Sequence, residues 1–224
     1  MKLPEKVVSG ISNSTTDAIV RMQRHRLVAV VRSKNGDEAY TTACAASDAG
    51  ILFVEITLTV PGALAVIERL ARRNDLYVGA GTVLSKQDGK QAIEAGARFV
   101  VSPTLELDLI PLCHKAKVAC FPGAATPTEI LAARRMGADL VKIFPADLVG
   151  GPYFIRQMQG PFPDIRFMVS GGVSLANVQE YVQIGVTGIC LGSSYLASLL
   201  AEKGNAGFVN AIGEFIKRVE EAQR

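Results

Sequence analysis

Leu140-Val141-Lys142-Ile143-Phe144-Pro145 is a short apolar run, rich in branched residues, that carries a single charge. Such a run reads as a buried strand. An ammonium inside it is costly unless it is paired or neutralised. Desolvation disfavours the charged form of an amine, which exposes the lone pair that attacks a carbonyl carbon. A lysine at a strand end also has the option of snorkelling to solvent. The rest of the chain decides between these readings.

Seven similar runs flank this one. They begin at Val28, Phe53, Tyr77, Phe99 and Val118 before it and at Phe167 and Gly188 after it, and successive starts lie 19 to 27 residues apart. Helix-like stretches fill the gaps, and crossover helices force the strands they join to run parallel. Eight such units are what an α/β chain needs to close a (β/α)8 TIM barrel. A doubly wound open sheet is the alternative, against which the number and even spacing of the units weigh. Residues 12–26 read as an extra N-terminal helix before the first strand, and 206–222 as the last helix.

Local signals agree with this alternation. Thr126-Pro127-Thr128-Glu129 combines a capping threonine, proline at the first helical position and glutamate at the third, which together form a capping box. Ser85 with Asp88 is a weaker version, and Ser174 is an N-cap candidate after the seventh strand. Gly50, Gly96, Gly137 and Gly185 each stand just before a strand, where helices end on a left-handed residue. No linker or composition break interrupts the chain, so residues 1–224 read as a single barrel domain.

The chain's 224 residues are 49% hydrophobic and 20% charged, enough for one substantial core. No apolar stretch reaches the roughly 18 residues that span a membrane, and Met1–Lys6 lacks the apolar segment of a signal peptide. A cytoplasmic protein without a membrane partner is expected. Cys44, Cys113, Cys120 and Cys190 show no C-x-x-C spacing and read as reduced core residues. The net charge of +3 gives no argument for nucleic acid, although it suits an anionic small molecule. The one dense basic cluster, Arg21 to Arg26, reads as the end of a helix, where cations complement the macrodipole. No aromatic platform for bases accompanies it.

Barrel enzymes carry their chemistry at the C-terminal strand ends. In this chain those positions offer only three ionisable side chains: Arg32, Glu55 and Lys142. Alternation places Glu55 with Thr57 and Thr59 on one face of the second strand, and Lys142 with Leu140 and Phe144 on one face of the sixth. If both faces point inward, the carboxylate and the amine meet inside the barrel. Gly171-Gly172 and Gly192-Ser193-Ser194 follow the last two strands, where glycines and helix N-termini of this fold commonly hold phosphate. The two histidines, His25 and His114, fall at no strand end, and carboxylates do not converge there. Neither a metal nor a diffusible cofactor is expected.

With these residues in place, the chain resembles the 2-keto-3-deoxy-6-phosphogluconate (KDPG) and 4-hydroxy-2-oxoglutarate (KHG) aldolase family from about Leu27 to Leu196. The likeness rests on Val54-Glu55-Ile56-Thr57-Leu58, Val78-Gly79-Ala80-Gly81-Thr82-Val83, Val101-Ser102-Pro103, Phe121-Pro122-Gly123, Val141-Lys142-Ile143-Phe144-Pro145 and Ser170-Gly171-Gly172-Val173. It implies that Lys142 forms a Schiff base with a keto acid and that Glu55 is the general acid and base. It further implies that Arg32, Thr57, Thr82, Pro103 and Phe144 line the substrate pocket, and that Ser170, Gly171, Gly172, Ser193 and Ser194 hold phosphate. A homotrimer is implied by the same likeness. Two departures stand out. Thr59 occupies a position where several members carry an arginine, and Arg32, ending the first strand, is expected to supply that cation. Val169 stands where many relatives have proline. A phosphosugar isomerase using Glu55 as base, and a catalytically silent binding barrel, are the competing readings.

Overall fold

The computed structural model describes residues 15–224; the expectations for residues 12–14 and for the N-terminal Met1–Lys6 segment fall outside these. Its strands are β1 (Leu27–Val31), β2 (Phe53–Thr57), β3 (Tyr77–Gly81), β4 (Phe99–Val101), β5 (Ala119–Phe121), β6 (Gly123–Ala124), β7 (Val141–Ile143), β8 (Phe167–Val169) and β9 (Gly188–Leu191). All pairings are parallel, in the order β5-β4-β3-β2-β1-β9-β8-β7-β6. The first and last strands therefore pair directly, with Val28 opposite both Phe53 and Cys190.

Nine segments appear where eight were expected, because the fifth run is split at Pro122. Proline has no N–H to give a ladder. The carbonyl of Pro122 nevertheless accepts from the Lys142 N–H at 2.9 Å, while the next residue, Gly123, donates to Thr104 O at 3.0 Å. One broken run thus bonds β4 with its first half and β7 with its second, and the barrel closes through it.

The helices are α1 (Thr15–His25), α2 (Gly36–Asp48), α3 (Ala63–Ala71), α4 (Lys86–Glu94), α5 (Leu109–Lys115), α6 (Pro127–Arg135), α7 (Gly151–Gln159), α8 (Val178–Gln183) and α9 (Ser193–Ala222). The capping box at Thr126 forms: its N–H donates to Glu129 Oε2 at 2.9 Å and its hydroxyl accepts from Glu129 N at 3.3 Å. Ser85 caps α4 through Asp88 N at 3.1 Å. Gly50, Gly96, Gly137 and Gly185 have φ of 103°, 98°, 85° and 81°, the left-handed region in which a side chain is strained.

One expectation needs correction. Ser174 does not cap α8; its N–H donates to Asn177 Oδ1 at 2.9 Å in a turn, and Asn177 immediately precedes the helix. The last helical segment, α9, starts at Ser193 and breaks at Gly204, where φ is 60° and ψ is −172°, so the part after the break matches the last helix expected over 206–222. No helix among the described residues is long and apolar enough to cross a membrane.

The apolar residues form two cores. One lies between the sheet and its helices, and the other fills the barrel with Val28, Phe53, Tyr77, Phe99, Phe121, Leu140, Met168 and Cys190. Ala18, Ile19 and Met22 of α1 join the second core, so α1 plugs the N-terminal end of the barrel. An aromatic layer crosses the interior, with ring centroids 5.0 Å apart for Phe53 and Tyr77 and 5.7 Å apart for Phe99 and Phe121. Gly79 makes room for it, since a Cβ there would lie 2.4 Å from the Phe99 ring. The aromatic layer is the floor on which the polar residues of the upper barrel stand.

Candidate active site

Glu55 sits mid-strand in β2, opposite Gly79 of β3. A Cβ at Gly81 would lie 2.0 Å from Glu55 Oε1, so the two glycines of Tyr77-Val78-Gly79-Ala80-Gly81 clear space for a ring below and a carboxyl above. Lys142 comes from β7 across the barrel. Its Nζ lies 3.6 Å from Glu55 Oε1, and the two residues are 5% and 1% exposed. The inward faces expected from alternation therefore do meet, and the lysine does not snorkel out. Glu55 Oε2 is buried without a hydrogen-bond partner, which leaves an acceptor free to take a proton from a bound group.

The walls around this pair are weakly polar. The Phe144 ring centroid stands 5.5 Å from Lys142 Nζ. Cys190 of β9 is fully enclosed, and its thiol is pushed up to about 12, first by burial and then by the charge of Glu55. It therefore stays a neutral thiol beside the pair. Ser170, at the end of β8, lies beside this thiol and offsets part of the rise.

Above the pair lies the rim. Arg32 follows β1, and its Nη2 donates to Thr82 Oγ1 at 3.3 Å. Thr82 is itself held at φ 55°. Thr57 donates to Val31 O at 3.3 Å and shares a 2.9 Å hydroxyl contact with Thr59. The strand register puts Val31 opposite Ile56, so Arg32 and Thr57 stand side by side. Pro103 faces Gly123 so closely that a Cβ on the glycine would lie 2.3 Å from the proline carbonyl.

Gly171 and Gly172 leave β8 at φ of 103° and 68°, and β9, its neighbour, leads through Gly192 into Ser193 and Ser194, the first residues of α9. No side chain caps that helix, so its first N–H groups remain for an anion. At Ser170 the N–H donates to Ile143 O at 3.1 Å and the carbonyl accepts from Ala146 N at 2.8 Å, which leaves the hydroxyl as its polar group for a ligand.

Sequence reading missed Asp147 and the Ser170–Cys190 contact. A Cβ on Gly172 would lie 2.4 Å from Asp147 Cβ, and one on Gly171 2.9 Å from Asp147 Oδ1, so this carboxylate leans on the glycine loop. Asp147 is the first acidic residue beyond Phe144-Pro145-Ala146, but strand alternation ends at the proline and gives its direction no signal. Cys190 reads in sequence as an ordinary core thiol.

The geometry makes Gly81→Ala a sharp probe. Its methyl would displace the Glu55 carboxyl, because backbone on both sides holds the strand in register. The expected result is a folded protein destabilised by about 1–3 kcal/mol whose activity falls about as far as that of a Glu55 variant. Thermal unfolding together with kcat/KM checks it, and near-normal activity would show that the carboxyl position is not critical.

Fold and site together are those of a parallel-barrel aldehyde-lyase, and comparison with known proteins narrows this further. The family model for KDPG and KHG aldolase matches residues 18–212. The 2-dehydro-3-deoxy-phosphogluconate aldolase of Pseudomonas aeruginosa is 35% identical over 202 residues, covering 89% of this chain and 91% of that protein. The solved "Native KDPGal structure" superposes with a TM-score of 0.78 at 30% identity, covering 88% of this chain and 95% of its own. The KDPG aldolase of Legionella pneumophila, solved with pyruvate captured at low pH as a covalent carbinolamine intermediate, gives 0.75 at 26% identity over 92% of this chain and 98% of its own. This chain belongs to the KDPG/KHG aldolase family.

Proposed function

We propose that the protein cleaves KDPG to pyruvate and glyceraldehyde 3-phosphate through a Schiff base on Lys142. The observation that carries this reading is the buried Lys142–Glu55 pair, 3.6 Å apart, set above the aromatic floor. The name of the Pseudomonas relative supplies the substrate, and the carbinolamine of the Legionella enzyme is the first covalent stage of the same chemistry.

The steps follow from the parts. Neutral Lys142 attacks the C2 carbonyl carbon, and the carbonyl oxygen takes a proton from Glu55 to become the carbinolamine hydroxyl. Loss of that hydroxyl as water leaves a protonated imine, an electron sink. Glu55, now a carboxylate, accepts the C4 hydroxyl proton as the C3–C4 bond breaks, which releases the aldehyde and leaves an enamine. Glu55 returns that proton to C3, and hydrolysis of the imine frees pyruvate and Lys142. Arg32 and Thr82 hold the substrate carboxylate at the rim, with Thr57, Pro103 and Phe144 closing the pocket. The N–H groups of Gly171 and Gly172 and the start of α9 at Ser193 and Ser194 hold the phosphate. The same pocket would accept KHG, yielding pyruvate and glyoxylate, with a second carboxylate in the phosphate position; the family's span over both substrates supports this wider reading.

Borohydride reduction in the presence of pyruvate, read by intact mass and peptide mapping, tests the proposal. One reduced pyruvyl group on Lys142 is the expected product. A folded protein that gains no adduct at saturating pyruvate would sink the Schiff-base reading and favour the isomerase. For the carboxylate clamp, Arg32→Ala should raise the pyruvate concentration needed for half-maximal trapping by about 10- to 100-fold, the worth of a charge-assisted hydrogen bond. Unchanged affinity would remove Arg32 from the pocket.

A further inference from the structure

The opposite end of the barrel holds a cavity of about 330 Å³ that the aldolase chemistry does not use. It lies where α1 crosses the starts of β3, β4 and β5, and its walls include Ala18, Ile93, Val118, Tyr77, Arg98 and Lys117. The aromatic layer separates it from Lys142. Volumes of this size suit small-molecule sites built of apolar walls with a few placed polar groups.

Two cations line this cavity, Arg98 half-buried and Lys117 exposed. Arg98 packs its guanidinium 5.5 Å from the Tyr77 ring centroid. Its Nη1 is buried without a hydrogen-bond partner among the described residues, a costly state that a turn of the guanidinium towards an acceptor in the cavity would relieve. Lys117 stands at φ 59°. The corresponding helix ends at Gly50, Gly96, Gly137 and Gly185 use glycine for that conformation, whereas Lys117, like Arg26 after α1, carries a basic side chain there at a cost in backbone strain. Asp17, the nearby carboxylate, is already engaged by Arg21 and by the Tyr77 hydroxyl. No ion pair among the described residues involves Arg98 or Lys117.

We propose that this cavity between α1 and the starts of β3 to β5 binds a small amphipathic anion, its charged group on Arg98 and Lys117 and its apolar body against Ala18, Ile93 and Val118. Charge complementarity selects the anion, and the aliphatic walls select one with a hydrocarbon portion over inorganic phosphate. The site is independent of the residues assigned to aldol cleavage.

Fluorescence titration with 8-anilinonaphthalene-1-sulfonate, an amphipathic anion that brightens in apolar surroundings, tests this on the full chain. One saturable site per chain is expected. Lys117→Gly removes the cation and suits the left-handed backbone, so it folds, and Arg98→Met keeps the aliphatic stem. Each should weaken the dye at least tenfold, while kcat/KM for aldol cleavage stays at the wild-type value. The uncharged analogue N-phenyl-1-naphthylamine should be indifferent to both substitutions. Absence of a saturable site, or a dye Kd within twofold of wild type in either variant, would overturn the proposal. Equal sensitivity of the neutral analogue would do the same.

Discussion

Lys142→Met is expected to lower kcat/KM for aldol cleavage by about 10⁵-fold or more, the scale on which enzymes lose activity with their covalent nucleophile. Methionine keeps an unbranched stem of similar length against Phe144 and Leu140 but offers no amine. Rescue from within the site is not available, because Lys142 is the one buried cation among the described residues. Arg32 lies out at the exposed rim, and a guanidinium does not deprotonate to attack carbonyls. Borohydride trapping should vanish together with turnover. A variant retaining more than a few per cent of activity would mean that the lysine acts only as a charge, as the isomerase reading requires.

The same substitution has a stability consequence that must be separated from chemistry. Removing one member of a buried ion pair strands the other, at about 3–5 kcal/mol. Lys142→Met leaves Glu55 between Gly81, Cys190 and an apolar ring, so its thermal midpoint should drop. Replacing both members, Lys142→Met with Glu55→Gln, removes the stranded charge and should recover much of that loss while staying inactive. Inactivity at restored stability would assign the rate loss to the missing amine.

Much of this was legible in the sequence for a physical reason. Parallel strands buried on both faces must be apolar throughout, so a lone Lys142 or Glu55 within such a run stands out without any knowledge of the fold. Alternation then fixes which neighbours share its face, and the meeting of the two side chains follows once the barrel closes. Helix ends at Gly50, Gly96, Gly137 and Gly185 are equally readable, because the left-handed backbone conformation has a preferred residue. What did not show was set by packing between segments far apart in the chain. The break at Pro122 appears only when the hydrogen-bond partners of both neighbouring strands are known. The closeness of Ser170 to the Cys190 thiol of the adjacent strand likewise follows only from strand pairing.

Glu55→Gln carries the second large effect and separates proton transfer from covalent capture. The amide is nearly isosteric and still fits between Gly79 and Gly81, so the pocket and Lys142 should stay in place. An amide cannot take a proton from the C4 hydroxyl or return one to C3, and general acid–base catalysis is worth about 10²–10⁴-fold. Cleavage should therefore fall by that range. Pyruvate alone gives a more specific readout. Forming the enamine from bound pyruvate removes a methyl proton, so the wild-type protein should exchange the C3 hydrogens of pyruvate for deuterium in D2O, as followed by proton NMR. Glu55→Gln should lose this exchange while prolonged incubation with borohydride still labels Lys142, because the amine and the carbonyl can meet without the carboxyl. Lys142→Met should lose both signals. Exchange at the wild-type rate in Glu55→Gln would place the base elsewhere. The nearest remaining candidates are hydroxyls such as Thr57 and Ser170 and the neutral Cys190 thiol, none of which is a base at neutral pH without a further partner. The pattern of one variant losing exchange alone and the other losing exchange and capture together is what two groups with divided labour produce, and a purely structural ion pair would not produce it.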